Sequence, residues 1–198
     1  MAVNTLLELI SVVCGILYLL LMVREHIACW IFGILGSLIT IYLYTQVTLY
    51  LEAGLNVYYV LAGFYGWYFW HKQQDSEQQV PVLDWKLRPQ IIWGILCLLI
   101  GLGLGKLMEQ YSNSERPYID ALITTFSFLA TYMEARKVLS TWYYWFVLNA
   151  CSIFLQIDRG LYYLSMLSVV YTIMSITGYL RWKRSMLQAA TKTAGSSI

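Results

Sequence analysis

Two indoles and a carboxamide near the C-terminal end carry the clearest chemical signature of this chain. In the stretch Trp142-Tyr143-Tyr144-Trp145-Phe146-Val147-Leu148-Asn149, the residues Trp142, Trp145 and Asn149 stand at i, i+3 and i+7, so on a helix they share one face. An indole face attracts a flat cation by roughly 0.5–2 kcal/mol, according to how far the pair is desolvated, and a carboxamide both donates to and accepts from a ring or sugar edge. Similar spacing recurs in three other apolar stretches: Glu52, Asn56 and Tyr59; Asp120, Thr124, Ser127 and Thr131; and Ser37, Thr40 and Tyr44. Four polar stripes on otherwise apolar segments describe a lined cavity, because a polar group buried in lipid needs a partner. The candidate binding residues are Trp142, Trp145, Asn149, Asn56, Glu52, Tyr59, Ser127, Thr131 and Ser37. Hydroxyls and amides also hold helices to one another, and for Ser37, Thr40, Thr124 and Ser127 spacing alone does not separate the two uses.

The elements that position these residues are membrane spans. The chain has 198 residues, 59% hydrophobic and 12% charged, with a mean hydropathy of +0.58, against about 45–50% apolar and about 25% charged in ordinary soluble domains. At roughly 20 apolar residues per span, seven segments emerge: 5–23, 27–46, 50–70, 91–108, 118–134, 139–156 and 160–181. The expected fold is an all-α membrane domain, with its longest break between His71 and Gln90 and a cytoplasmic tail at 182–198 that reads as a mobile end. The first segment carries Glu8, lacks a small-residue cleavage pattern and reads as a membrane helix, not a signal peptide. Of the thirteen Lys and Arg, ten (Arg24, Lys72, Lys86, Arg88, Arg136, Lys137, Arg181, Lys183, Arg184 and Lys192) fall opposite the N-terminus when the spans alternate. That bias predicts an external N-terminus and a cytoplasmic C-terminus.

An internal repeat organises the spans. Shifting the chain by 112 positions places Trp30 on Trp142, Leu49-Tyr50 on Leu161-Tyr162, Val57 on Val169, Tyr59 on Tyr171, Gly66 on Gly178 and Trp70 on Trp182. Segments 5–70 and 118–181 then form two triple-helix bundles, with 91–108 as a linker helix whose Gly94, Gly101 and Gly105 suit close helix contact. This 3+1+3 plan makes the repeats parallel, as in carriers whose site lies between the halves near the midplane and which work by rocking one half against the other.

The remaining polar and aromatic residues have plainer explanations. Glu8 and Asp120 lie near external ends, where solvent reaches them, and Glu134 sits beside Arg136 and Lys137 as a salt-bridged end. Glu52, also near an external end, is either a solvated carboxylate or a group that meets a cation or a ring nitrogen. Trp67, Trp70, Trp85, Trp93 and Trp182 fit the aromatic belt at the membrane surface. Cys14, Cys29, Cys97 and Cys151 stand singly in apolar segments and read as small buried hydrophobes, with no metal or redox motif. His26 and His71 lack the partners of a general base, no nucleotide-binding loop is present, and the last span has no lysine before Lys183 to hold a retinal. A net charge of +2 gives no ground for a nucleic-acid partner. The residues thus point to passive or ion-coupled movement of a small molecule without a cofactor, not to an enzyme. A seven-helix ligand sensor is the reading from another class.

At this point the motifs resemble the PnuC family of vitamin transporters. The matching pieces are Leu49-Tyr50 with Glu52, Asn56, Tyr59, Tyr65-Gly66-Trp67 and Trp70; Asp120-Ala121, Ser127, Ala130, Tyr132 and Ala135-Arg136-Lys137; Trp142 with Trp145; and Gly160-Leu161-Tyr162 with Arg181-Trp182. The resemblance implies a fold like that of the sugar-transporting SWEET proteins, a homotrimer in the bacterial inner membrane, and facilitated, ATP-independent uptake of a B-type vitamin that a cytoplasmic kinase then traps. It also implies a choice of cargo. Riboside carriers of the family often have Gln at the positions of Asn56 and Thr131 and Asp at that of Asn149, so thiamine is the expected cargo and nicotinamide riboside the alternative. Both are aromatic cations that suit the tryptophan pair.

Overall fold

Long apolar runs broken by charged and turn-forming residues fold into seven helices among the described residues. The computed structural model describes residues 2–46, 50–74, 81–111, 116–158 and 162–195. Helix α1 spans Ala2–Val23, α2 Cys29–Gln46, α3 Tyr50–Gln74, α4 Leu87–Tyr111, α5 Pro117–Ala135, α6 Thr141–Asp158 and α7 Tyr162–Gly195. Each expected segment falls on one helix. Among the described residues, helices α1, α2 and α4 are long and apolar enough to cross a membrane on composition alone, and α3, α5 and α6 carry polar stripes. Pro117 opens α5, where its missing N–H costs nothing. The tail departs from expectation: α7 runs for 34 residues, because Met186, Leu187, Gln188, Ala189 and Ala190 are good helix formers with no proline among them.

The chain divides into two compact units, Met1–Val82 with Ala135–Lys137 and Arg181–Ile198, and Leu83–Glu134 with Val138–Leu180. The first is built around three tryptophans. Trp30 meets Trp70 edge to face at 5.6 Å, and Trp70 meets Trp182 at 6.3 Å. The Trp70 indole N–H donates to the Ala135 carbonyl at 3.0 Å and that of Trp182 to the Met22 carbonyl at 3.1 Å. Trp70 and Trp182 are therefore not belt residues. They are 3% and 0% exposed, and each buried indole N–H has the carbonyl that burial demands. Trp67 and Trp93 are exposed.

Close backbone approach organises the second unit. A Cβ added to Gly105 would lie 2.9 Å from the Tyr118 Cα, and one on Gly101 2.7 Å from Leu122 Cδ2, so these two glycines let α4 settle against α5; Gly94 faces open space. Below them Cys97, Leu129, Met133 and Val138 form an apolar cluster flanked by Trp85, Phe126 and Tyr144. The α5–α6 turn is held by Thr141 Oγ1, which donates to the Ala130 carbonyl at 2.8 Å, and by the Leu139 N–H, which donates to the Leu83 carbonyl at 2.8 Å. Of the four cysteines, Cys14, Cys29 and Cys97 are buried as expected, and Cys151 is exposed.

The 112-residue offset reappears bond for bond at two turns. After α1, the His26 N–H reaches the Leu21 carbonyl at 3.0 Å, Cys29 reaches His26 at 3.0 Å and Trp30 reaches Ile27 at 3.2 Å. After α5, Val138 reaches Met133 at 2.8 Å, Thr141 reaches Val138 at 3.0 Å and Trp142 reaches Leu139 at 3.4 Å. Both are helix ends closed by a six-to-one bond behind a left-handed residue, a place usually held by glycine. Here the residues are Glu25 at φ 57° and Lys137 at φ 53°, the positive-φ non-glycines among the described residues, each at a cost of about 1–2 kcal/mol.

Candidate functional site

The polar stripes keep their helical faces, and each can be followed within its own unit. On α6 of the second unit, Trp142 is 1% exposed, while Trp145 and Asn149 are half-buried one and two turns further on. Trp142 lies flat on α7: a Cβ added to Gly178 would stand 2.5 Å from its Cη2 and Cζ2. Its repeat partner Trp30 lies on Gly66 in the same way, so packing accounts for the burial of both rings. Trp145 is different. Its Nε1 is buried and has no hydrogen-bond partner among the described residues, although an indole N–H left without an acceptor costs about 1–3 kcal/mol. Trp30 Nε1 and Ser140 Oγ share that condition, and both lie off the polar stripes.

On α5, Ser127 and Thr131 are buried, and Thr131 Oγ1 donates to the Ser127 carbonyl at 2.8 Å. That internal bond uses the only hydroxyl proton of Thr131, so toward a ligand this residue acts as an acceptor. In the first unit, Ser37 on α2 and Asn56 and Tyr59 on α3 are half-buried, and Thr40 spends its proton on the Gly36 carbonyl at 2.9 Å. Glu52 belongs to α3, but its side chain lies outside the described residues. The α5 and α6 stripes present hydroxyl, carboxamide and indole groups with no Lys or Arg among Ser127, Thr131, Trp142, Trp145 and Asn149. Such a set suits an uncharged or cationic ligand with hydrogen-bonding edges and offers no counter-charge to a phosphate.

Sequence reasoning missed a second constellation. Lys137 Nζ meets Glu25 Oε2 at 2.6 Å, with side chains only 5% and 17% exposed, and the same ammonium stands 4.8 Å from the centre of the Trp70 ring. Lys137 thus pairs with Glu25, and the neighbouring Glu134 is itself buried. Next to it, Arg136 donates to the Tyr65 hydroxyl at 3.2 Å and lies over the Phe69 ring at 4.5 Å. The 112-residue offset already pairs Glu25 with Lys137 and Arg24 with Arg136, and that coincidence was the available signal.

Comparison with known proteins identifies the fold and the family. The model of the family described as "Nicotinamide mononucleotide transporter" matches residues 5–184. The chain is 22% identical over 211 residues to the nicotinamide riboside transporter PnuC of Escherichia coli (strain K12), covering 94% of this chain and 88% of that one. It is 25% identical over 136 residues to the riboflavin/roseoflavin transporter RibM of Streptomyces davaonensis, covering 66% and 63% of the two chains. A crystal structure of the vitamin B3 transporter PnuC superposes with a TM-score of 0.74 at 21% identity, over 93% of this chain and 83% of that one. With seven helices among the described residues, several of them apolar, and a family match over almost its whole length, this chain belongs to the nicotinamide mononucleotide transporter family of multi-pass membrane proteins.

Proposed function

We propose that this protein carries nicotinamide riboside across the membrane by facilitated passage, with the α5 and α6 stripes as its main recognition surface. The observation that carries the proposal is the buried Trp145 indole N–H, which stands on the Asn149 face without an acceptor among the described residues. A cargo that brings a hydroxyl or carboxamide oxygen relieves that cost on binding. The stripes, which carry the Asp120 carboxylate but no Lys or Arg, favour the cationic riboside over its phosphorylated form, for which a buried dianion without a cationic partner would be costly. The likeness to a nicotinamide riboside transporter and to a riboflavin/roseoflavin transporter supports nicotinamide riboside over thiamine, the first expectation from sequence. Trp142 backs this face from its seat on Gly178, while Asn56, Tyr59, Ser37 and Glu52 of the first unit complete the set of recognition residues. The finer architecture belongs to the same proposal: a 3+1+3 plan like that of the SWEET proteins, supported by the turns that repeat at an offset of 112, a homotrimer, an external N-terminus, and trapping of the cargo by a cytoplasmic kinase.

Proteoliposome flux tests it. Labelled nicotinamide riboside equilibrates across the bilayer without ATP or an imposed ion gradient, and competes at lower concentration than thiamine, riboflavin or nicotinamide mononucleotide. Flux of thiamine alone would transfer the assignment to thiamine, and binding without flux would make the protein a sensor.

A further inference from the structure

The partly buried pair between Glu25 and Lys137 lies outside the recognition set proposed above, and its construction is unusual. Each partner stands in a left-handed turn that closes its own helix end with its own six-to-one hydrogen bond, so each turn is complete without the other. What joins them is the 2.6 Å ion pair; Lys137 also sits over Trp70, and next to the turns the indole N–H groups of Trp70 and Trp182 bond Ala135 and Met22. Apolar side chains of similar volume usually seal a buried contact at least as well as an ion pair. Two charges differ in one respect: on parting, each regains hydration, so the contact reopens at a lower cost than its Coulomb energy suggests.

We propose that Glu25 and Lys137 form a latch between the α1–α2 turn and the α5–α6 turn, closed in this structure and parting in each transport cycle. Strained backbone at both partners fits that role, since residues held in sparsely populated conformations gather at switch regions. The ring faces of Trp30, Trp70 and Trp182 stay packed beneath as the surface on which the latch recloses. The inference rests on the transport activity of the family and not on the identity of the cargo.

Spin labels at Arg24→Cys and Arg136→Cys, in a background with the four native cysteines replaced, report the separation of the two turns in lipid nanodiscs by pulsed electron resonance. In the otherwise unaltered protein the short separation dominates. Glu25→Gln raises the long-separation fraction roughly tenfold, within the usual range for loss of one coupling contact, and the exchanged pair Glu25→Lys with Lys137→Glu restores the short one. An identical single distribution in all three proteins would overturn the latch, and so would a swap that leaves the turns apart. A second arm uses Glu25→Cys with Lys137→Cys bridged by a reducible bis-thiosulfonate: flux stops and returns on reduction. Full flux through the bridged protein also refutes the latch. If the unbridged protein moves no riboside at all, the cargo assignment fails while the distance measurement still decides on the latch.

Discussion

The Trp142 ring lies on Gly178 as the Trp30 ring lies on Gly66, and the two pairs are separated by the same 112 residues. In both, the glycine is required by the indole above it, because a methyl group there would stand inside the ring.

Gly178→Ala and Gly66→Ala should therefore each lower stability by about 1–3 kcal/mol, the usual cost of overpacking. For a chain of this length each kcal/mol lowers the midpoint by about 2–4 °C. Gly94→Ala, which meets nothing within 4 Å, serves as the control and should leave melting in detergent unchanged or slightly raised.

Trp145→Phe separates recognition from packing. It removes a buried donor that has no acceptor among the described residues, so the free protein should melt no lower. If that N–H bonds the cargo, the riboside dissociation constant should rise about tenfold, equivalent to about 1.4 kcal/mol. A titration that shows unchanged affinity with unchanged stability would remove Trp145 from the site.

Trp182→Phe and Trp70→Phe probe buried indoles whose N–H groups are already used. Each substitution leaves a buried carbonyl, Met22 or Ala135, without its side-chain donor, at a cost of about 1–3 kcal/mol. Residues in a membrane-surface belt would tolerate the same exchange with little change. Thermal unfolding of the two variants beside Trp67→Phe, at an exposed position, distinguishes the cases.

Arg116 and Asp158 meet at 2.7 Å with side chains 38% and 34% exposed. Solvent and salt screen such a pair, so Asp158→Asn should cost less than about 1 kcal/mol. The effect should fade as salt is raised, which melting at low and high ionic strength checks.

Much of the architecture was legible because lipid imposes one rule, that spans are long and apolar, and seven such runs stand in the chain. The repeat was legible from Trp30, Gly66 and Trp70 against Trp142, Gly178 and Trp182, since large rings on glycine leave few substitutes. The buried state of Trp70 and Trp182 was not, because a tryptophan at a span end looks the same whether it faces headgroups or a carbonyl. Nor was the partner of Lys137: Glu134 is three residues away in sequence, while Glu25 is brought to it only by tertiary folding. The face of Trp142, Trp145 and Asn149 followed from periodicity alone. Which of its groups are free for a ligand depended on the seat at Gly178, and that is a property of packing.

The two matching turns differ in the sign of the charge that each carries. A turn ending in Glu facing another Glu, or Lys facing Lys, would meet its own charge at close range, and such encounters are disfavoured by electrostatic repulsion. With Glu25 in one turn and Lys137 in the other, unlike turns attract and like turns repel. The two turns share one backbone form, and the opposite signs steer each toward its unlike counterpart within the chain.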